Sequence, residues 1–152
     1  MISKVYLGAL VLAAPWSLMG CGEGCLLASC GNTLNVSIQL PGEPNTYSFA
    51  FVTDQGQTSC EIEVPVVLGR DCEDSSLVRF APKEGTDGTV ADVYILDSVS
   101  ANIIVTRGDE ELHVGTVTAE PGSRVQEEGS EDYCGGPCYS TTASLDLSGI
   151  AP

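Results

Sequence analysis

Positive charge is scarce in this chain: 6 Lys and Arg stand against 21 Asp and Glu among 152 residues, a formal net charge of −15. A nucleic-acid binder needs basic patches to displace counterions from phosphate, so that class is excluded. Electrostatic docking onto anionic lipid is disfavoured for the same reason. There is a single histidine, His113. Nucleophilic triads draw on a His base and finger-type zinc sites want His beside regularly spaced Cys, so neither chemistry finds much material. No apolar run reaches the roughly 20 residues that span a bilayer as a permanent helix. A long 3.6-residue apolar period is missing too, and so is any internal repeat, which leaves strands as the expected element. The only tryptophan is Trp16, so the buried Trp of antibody-type domains is excluded from the folded part.

What is present is an apolar fraction of 43%, too high for a disordered acidic chain, in a length that suits one domain. Seven cysteines point to export into an oxidising compartment. The N-terminus supports this. Lys4 supplies a positive start, Val5 to Ala14 is an apolar stretch, and Pro15 breaks it, the pattern of a secretory signal. Leu18-Met19-Gly20-Cys21 then resembles the lipobox of bacterial lipoproteins. That resemblance implies cleavage between Gly20 and Cys21, with Cys21 as the acylated first residue of the mature chain. Gly22 follows, not the Asp that retains many such proteins at the inner membrane, so the resemblance implies the outer membrane. The mature part resembles small disulfide-bonded, Ig-like envelope lipoproteins. Acidity fits an acyl anchor, because two or more acyl chains hold a protein that anionic lipid repels.

The expected organisation is a signal peptide at 1–20, a short lipid-anchored tether at 21–32 and a β-sandwich domain at 33–149. Losing residues 1–20 removes Lys4 and no acid, leaving 5 bases against 21 acids, or −16. Beyond the tether, alternating apolar runs are separated by Gly, Pro and Asp, which predicts an all-β fold. Leu34, Val36, Ile38 and Leu40 share one face of a first strand. Tyr47, Phe49 and Phe51 share a face of a second, and Asp54-Gln55-Gly56-Gln57 is a hairpin connection. Cys60, Ile62, Val64, Val66 and Leu68 line a third strand, which Pro65 places at an edge or a bulge. Leu77 to Phe80 is a short strand. Thr89 to Leu96 and Ser100 to Thr106 read as two more; a helix over 90–99 is the other option, which Val, Ile and Tyr disfavour. The tip Arg107 to Glu111 leads into Leu112 and Val114, and a bulge at Gly115 would explain a phase slip to Val117 and Ala119. An acidic loop spans Glu120 to Asp132. Tyr139, Thr141, Ala143, Leu145 and Leu147 form the last strand. Seven to eight strands in about 115 residues predict an immunoglobulin-like or Greek-key β-sandwich, disulfide-stapled.

With Cys21 set aside for lipid, Cys25, Cys30, Cys60, Cys72, Cys134 and Cys138 form an even set, read as disulfides. Cys60 and Cys72 flank one strand and its turn and are the first expected pair. Cys25, Cys30, Cys134 and Cys138 either bridge the two ends or close two local loops. Redox chemistry is disfavoured, since Cys134 and Cys138 have one residue too many between them for Cys-x-x-Cys. In an oxidising compartment the thiols pair before they bind zinc.

The remaining candidates are read against blander roles. His113 lies beside a charged hairpin, where a solvated side chain is the usual case. Glu61 and Glu63, or Asp109, Glu110 and Glu111, are the carboxylates a glycosidase would need, but their spacing suits a water-facing surface. Arg107-Gly108-Asp109 spells an adhesion tripeptide at a place where Gly and Asp serve the turn anyway. Asn35-Val36-Ser37 matches a glycosylation sequon in mid-strand. No cofactor is expected. Calcium is the one metal considered, at Asp71, Glu73, Asp74, Asp87 and the Glu127, Glu128, Glu131 and Asp132 loop, which do not follow the spaced calcium-loop pattern. The expected protein is thus a non-enzymatic binding or structural module, lipid-anchored at the outer membrane, whose partner is an envelope protein or glycan. The alternative is a small envelope hydrolase using carboxylates. A third reading is a stapled inhibitor presenting the 120–132 loop.

Overall fold

The computed structural model describes residues 32–127 and 138–150. They form ten strands in two sheets, with no helix among the described residues. The strands are β1 (Asn32–Gln39), β2 (Asn45–Thr53), β3 (Gly56–Val64), β4 (Arg70–Asp71), β5 (Val78–Pro82), β6 (Val90–Leu96), β7 (Ser100–Arg107), β8 (Glu110–Thr118), β9 (Val125–Gln126) and β10 (Tyr139–Asp146). One sheet has the order β4-β5-β6-β1-β10-β9, the other β3-β2-β7-β8. The all-β sandwich expected from alternation is therefore the fold. Eight strands have five residues or more, and the other two are two-residue ladders at the edges of the larger sheet.

The core is made where alternation puts it. Leu34, Val36 and Ile38 of β1 and Tyr47, Phe49 and Phe51 of β2 are buried, facing Ile62, Val93, Ile95, Ile103 and Val105. All three phenylalanines meet between the sheets. Phe80 of β5 presents an edge to Phe49 and Phe51, with ring centroids at 5.2 and 6.3 Å, the edge-to-face geometry that the ring quadrupole favours. The residues 90–99 that allowed a helical reading run as β6 and its turn, with Ala91, Val93 and Ile95 buried on one face.

Two of the hairpins have two-residue tips, Asp54-Gln55 between β2 and β3 and Gly108-Asp109 between β7 and β8. The longer hairpin loop between β5 and β6 turns through Gly85 and Gly88, both at φ +75°. Gly88 is needed for a second reason, since its carbonyl accepts from the Val66 N–H at 2.9 Å and an added Cβ would lie 2.6 Å from the Val66 oxygen. Edges are blunted as soluble sheets require. β3 is indeed an edge strand, ending at Val64 before the cis Pro65, with Glu61 and Glu63 turned to water.

Three expectations are corrected. Val66 stays buried, but the β3 face stops there: Val67 and Leu68 are 77% and 75% exposed, because the chain has left the ladder. The phase slip in β8 comes from an irregularity at Leu112, between the Val105–His113 and Thr106–Glu111 pairs, not from a bulge at Gly115. The extra residue rotates the strand, so His113 and Val117 face inward while Val114 is 51% exposed. His113 is accordingly not freely solvated: its Nε2 is buried without a hydrogen-bond partner and packs over Gly115. The described part of the acidic loop contains β9, which pairs with the start of β10.

Candidate binding site

The cysteines act as staples wherever they are described. Cys60 and Cys72 form a disulfide across 12 residues of sequence, as their placement suggested. It holds the segment after β4 against the rim of β3, where Glu73 N–H donates to the Ser59 carbonyl at 2.9 Å and Asp74 N–H to Thr58 Oγ1 at 2.8 Å. Cys138 is buried and disulfide-bonded. The expectations for Gly20, Cys21, Cys25, Cys30 and Cys134, and for Glu128, Glu131 and Asp132, fall outside the described residues.

The carboxylates are dispersed. Glu61 and Glu63 project from the outer face of β3, in register with Ser48 and Thr46. Glu110 Oε2 accepts from Arg107 Nη2 at 2.7 Å, and Glu43 Oε2 lies 3.4 Å from Arg107 Nη1. The hydrogen bond to Glu110 is the main cause holding the Arg107 pKa above its ordinary value. With this guanidinium engaged and its side chain only 21% exposed, the Arg107-Gly108-Asp109 tip does not present a free arginine. Asp74 Oδ1 is occupied by Ser76, accepting from its N–H at 3.0 Å and its hydroxyl at 2.5 Å. Among the described residues, no three His, Cys, Asp or Glu side chains come together to hold a metal ion.

The arrangement with most chemical content is the outward face of the six-stranded sheet, which the sequence reading did not single out. Register builds it in cross-strand rows. Leu96, Thr33 and Ser140 form one; Arg79, Tyr94, Asn35 and Thr142 the next; Ala81, Asp92, Ser37 and Ser144 a third; Val90, Gln39 and Asp146 a fourth. Polar β1 residues that read as merely water-facing thus meet the polar faces of their neighbours. Lys83, just past β5, reaches across to Ser37 Oγ at 3.2 Å and Asp92 Oδ1 at 3.7 Å. Asn35 Oδ1 is buried in this layer without a hydrogen-bond partner.

Two concavities lie on this face. The upper, about 580 Å³, is lined by Thr33, Arg79, Ala81, Tyr94, Leu96 and Glu127 among others. The lower, about 400 Å³, is lined by Ser37, Gln39, Lys83, Val90, Ser144 and Asp146 among others. The first signal in the sequence was available: every second residue of β1 is Thr, Asn, Ser or Gln, short polar groups with no charge. The second was not, because only the pairing with β5, β6 and β10 brings Arg79, Tyr94 and Asp146 beside them. The opposite sheet offers a different surface, with Ala50, Ile104 and Val114 in one row and Val52 next to them. Comparisons of the chain with protein-family models, with curated proteins and with solved structures find no match.

Proposed function

We propose that this chain is a non-enzymatic, lipid-anchored binding module of the bacterial envelope, exported by residues 1–20, held at the outer membrane through an acylated Cys21, and engaging its partner on the outward face of the six-stranded sheet. The observation that carries the binding reading is the pair of concavities on one polar sheet face, each with a cation, a carboxylate and small hydroxyl groups in its lining. Concave sites with a few convergent polar groups are where ligands are held. The same reading takes the sandwich as immunoglobulin-like, which two sheets over a shared core and loops gathered at both ends support.

Binding is favoured over hydrolysis by where the carboxylates lie. Glu63, Glu73, Glu127 and Asp146 each line a separate cavity, whereas glycoside hydrolysis needs two carboxyl groups roughly 5–9.5 Å apart across one scissile bond. Localisation rests on Leu18-Met19-Gly20-Cys21 and on the physical need of a −16 chain for a covalent hydrocarbon anchor.

Mass spectrometry of the protein extracted from its own envelope tests the anchor. The expected chain begins at Cys21 and carries acyl groups; an unmodified Cys21 or a retained leader overturns the localisation. A soluble form beginning at Gly22, used as bait against envelope extract, tests the binding role. Specific retention that is lost in Arg79→Ala is expected, and retention indifferent to that change refutes the assigned face.

A further inference from the structure

We propose that the ligand of the six-stranded face is an uncharged oligosaccharide, laid along β1 from the Thr33 end to the Gln39 end with one sugar ring on Tyr94; this inference rests on the binding-module reading above. The charge pattern selects the ligand class. Both cations of the face have carboxylate company: Lys83 is 3.7 Å from Asp92, and Arg79 shares its cavity with Glu127. A polyanion meets a carboxylate wherever it meets a cation, and a polycation meets the reverse. An apolar peptide is equally ill served, since Thr33, Asn35, Ser37, Gln39, Thr142 and Ser144 would lose water without gaining partners. A neutral chain of hydroxyl groups, which both donate and accept, suits such a mixed surface.

The side-chain types match sugar chemistry in more detail. A pyranose ring has an apolar C–H face and a rim of hydroxyls. Tyr94, 36% exposed on the outer face of β6, offers a flat ring for the first. For the second, the linings supply the guanidinium of Arg79 and the hydroxyls of Thr33, Ser37 and Ser144, beside Asp146, whose Oδ1 is engaged by Ser148, and Gln39, whose Nε2 donates to the Thr89 carbonyl. Between the two concavities runs the row Ala81, Asp92 and Ser37, with the Lys83 ammonium lying against Asp92 and Ser37, so a chain passing from one to the other crosses this pair. Six strand steps of about 3.3 Å separate Thr33 from Gln39, a path of about 20 Å. Such a path holds several sugar units, so affinity should grow with chain length.

The test is calorimetric and NMR titration of the full envelope-extracted protein in detergent with three neutral hexasaccharides, of β-linked N-acetylglucosamine, β-linked glucose and α-linked glucose, and with an oligogalacturonate hexamer as the charged counterpart. Expected is binding of at least one neutral hexasaccharide, stronger than that of its trisaccharide, with amide shifts confined to β1, β5, β6 and β10. Tyr94→Ala should weaken it about tenfold, while Val114→Thr on the opposite sheet leaves it unchanged. Thermal unfolding of each variant checks that the fold is retained, and Lys83→Ala, at a half-exposed position, gives an independent weakening. The inference is overturned if no neutral hexasaccharide binds, if only the charged one does, or if shifts map to the four-stranded sheet. Should the saccharides fail while Arg79→Ala still abolishes retention of an envelope component, the ligand class is wrong and the binding-module reading stands.

Discussion

Gly85 and Gly88 have the same backbone conformation and different surroundings, so replacing each by alanine separates two costs that usually arrive together. Both sit at φ +75° in the β5–β6 hairpin loop. An L-residue held in that left-handed region costs roughly 1–2 kcal/mol. At Gly85 an added Cβ meets nothing within 4 Å, so Gly85→Ala should lose that amount and no more. At Gly88 the Cβ would stand 2.6 Å from the Val66 oxygen, 2.8 Å from its nitrogen and 2.9 Å from the Pro65 Cβ. Backbone atoms cannot swing aside as a side-chain tip can, so the two segments must part. That gives up the Val66 N–H to Gly88 carbonyl bond at 2.9 Å, worth about 0.5–1.5 kcal/mol. It also draws Val66, 4% exposed, part of the way out of the core, against about 1.5–3 kcal/mol for full exposure of such a side chain. The expected loss for Gly88→Ala is about 4 kcal/mol, and for Gly85→Ala about 1–2 kcal/mol. Urea unfolding followed by far-UV circular dichroism reads both, with a shared m-value as the check that only the folded state has changed. Asn tolerates left-handed φ, so Gly85→Asn should regain most of the loss and Gly88→Asn none. Equal losses at the two positions would refute the reasoning, leaving Gly88 as a residue chosen for dihedral freedom alone.

Other expectations are open to similar measurement. Replacing Cys60 and Cys72 together by Ala removes a 12-residue cross-link and should cost about 2–3 kcal/mol in chemical denaturation. Phe80→Ala empties the meeting point of three aromatic rings, and a loss of about 3–5 kcal/mol is expected in the same assay. Gly115→Ala puts a Cβ 2.9 Å from His113 Nε2; because that clash is with a side chain, His113→Ala in the same molecule should relieve it, giving a coupling of about 1 kcal/mol in a double-mutant cycle. Asp146 accepts from the hydroxyl and the N–H of Ser148 at 2.6 and 2.9 Å, and the hydroxyl bond is the larger cause holding its carboxyl below the ordinary Asp value. Since the folded value is the lower one, the associated stabilisation is complete above the unfolded-chain pKa of about 3.9 and disappears as pH falls through the folded value. Carboxyl-carbon NMR titration should show that depressed midpoint, and Ser148→Ala should move it up.

How much of this was legible beforehand depends on the range of the interaction. Alternation in Leu34 to Ile38 and in Tyr47 to Phe51 named the buried faces, because a strand's side-chain period is local and burial enforces it. The two hairpin tips followed from their turn residues. Pro65 pointed to an edge or a bulge, since an interior strand would have missed its N–H, and β3, which ends one residue before it, lies at an edge. The Cys60–Cys72 pair was within reach because the two are close in sequence, with a turn between them; the structure places Cys60 within β3 and Cys72 just past β4. The irregularity at Leu112 was misplaced to Gly115: glycine is the usual sign of a bulge, but here Gly115 makes room for the inward His113 ring instead. Leu68 was assigned to the core because its spacing continued the β3 pattern, which cannot reveal that the ladder has ended. β4 and β9 are too short to carry a period at all. The candidate face lay beyond reach for a different reason, since its rows combine residues whose adjacency is created by strand order, and a single sequence does not encode strand order in any local pattern.

The parallel pairing of β1 with β10 brings the two ends of the fold together in the middle of the larger sheet: Thr141 Oγ1 donates to the Thr33 carbonyl across 108 residues. β1 is the first of the described strands to be made, yet one of its two partners is the last of them. Until residues 139–146 arrive, β1 has an open edge on one side, and the larger sheet ends there. Contacts this distant in sequence slow folding, because the loop between them must be closed before they contribute. The topology therefore keeps the larger sheet from locking around β1 until the last of the described strands is in place.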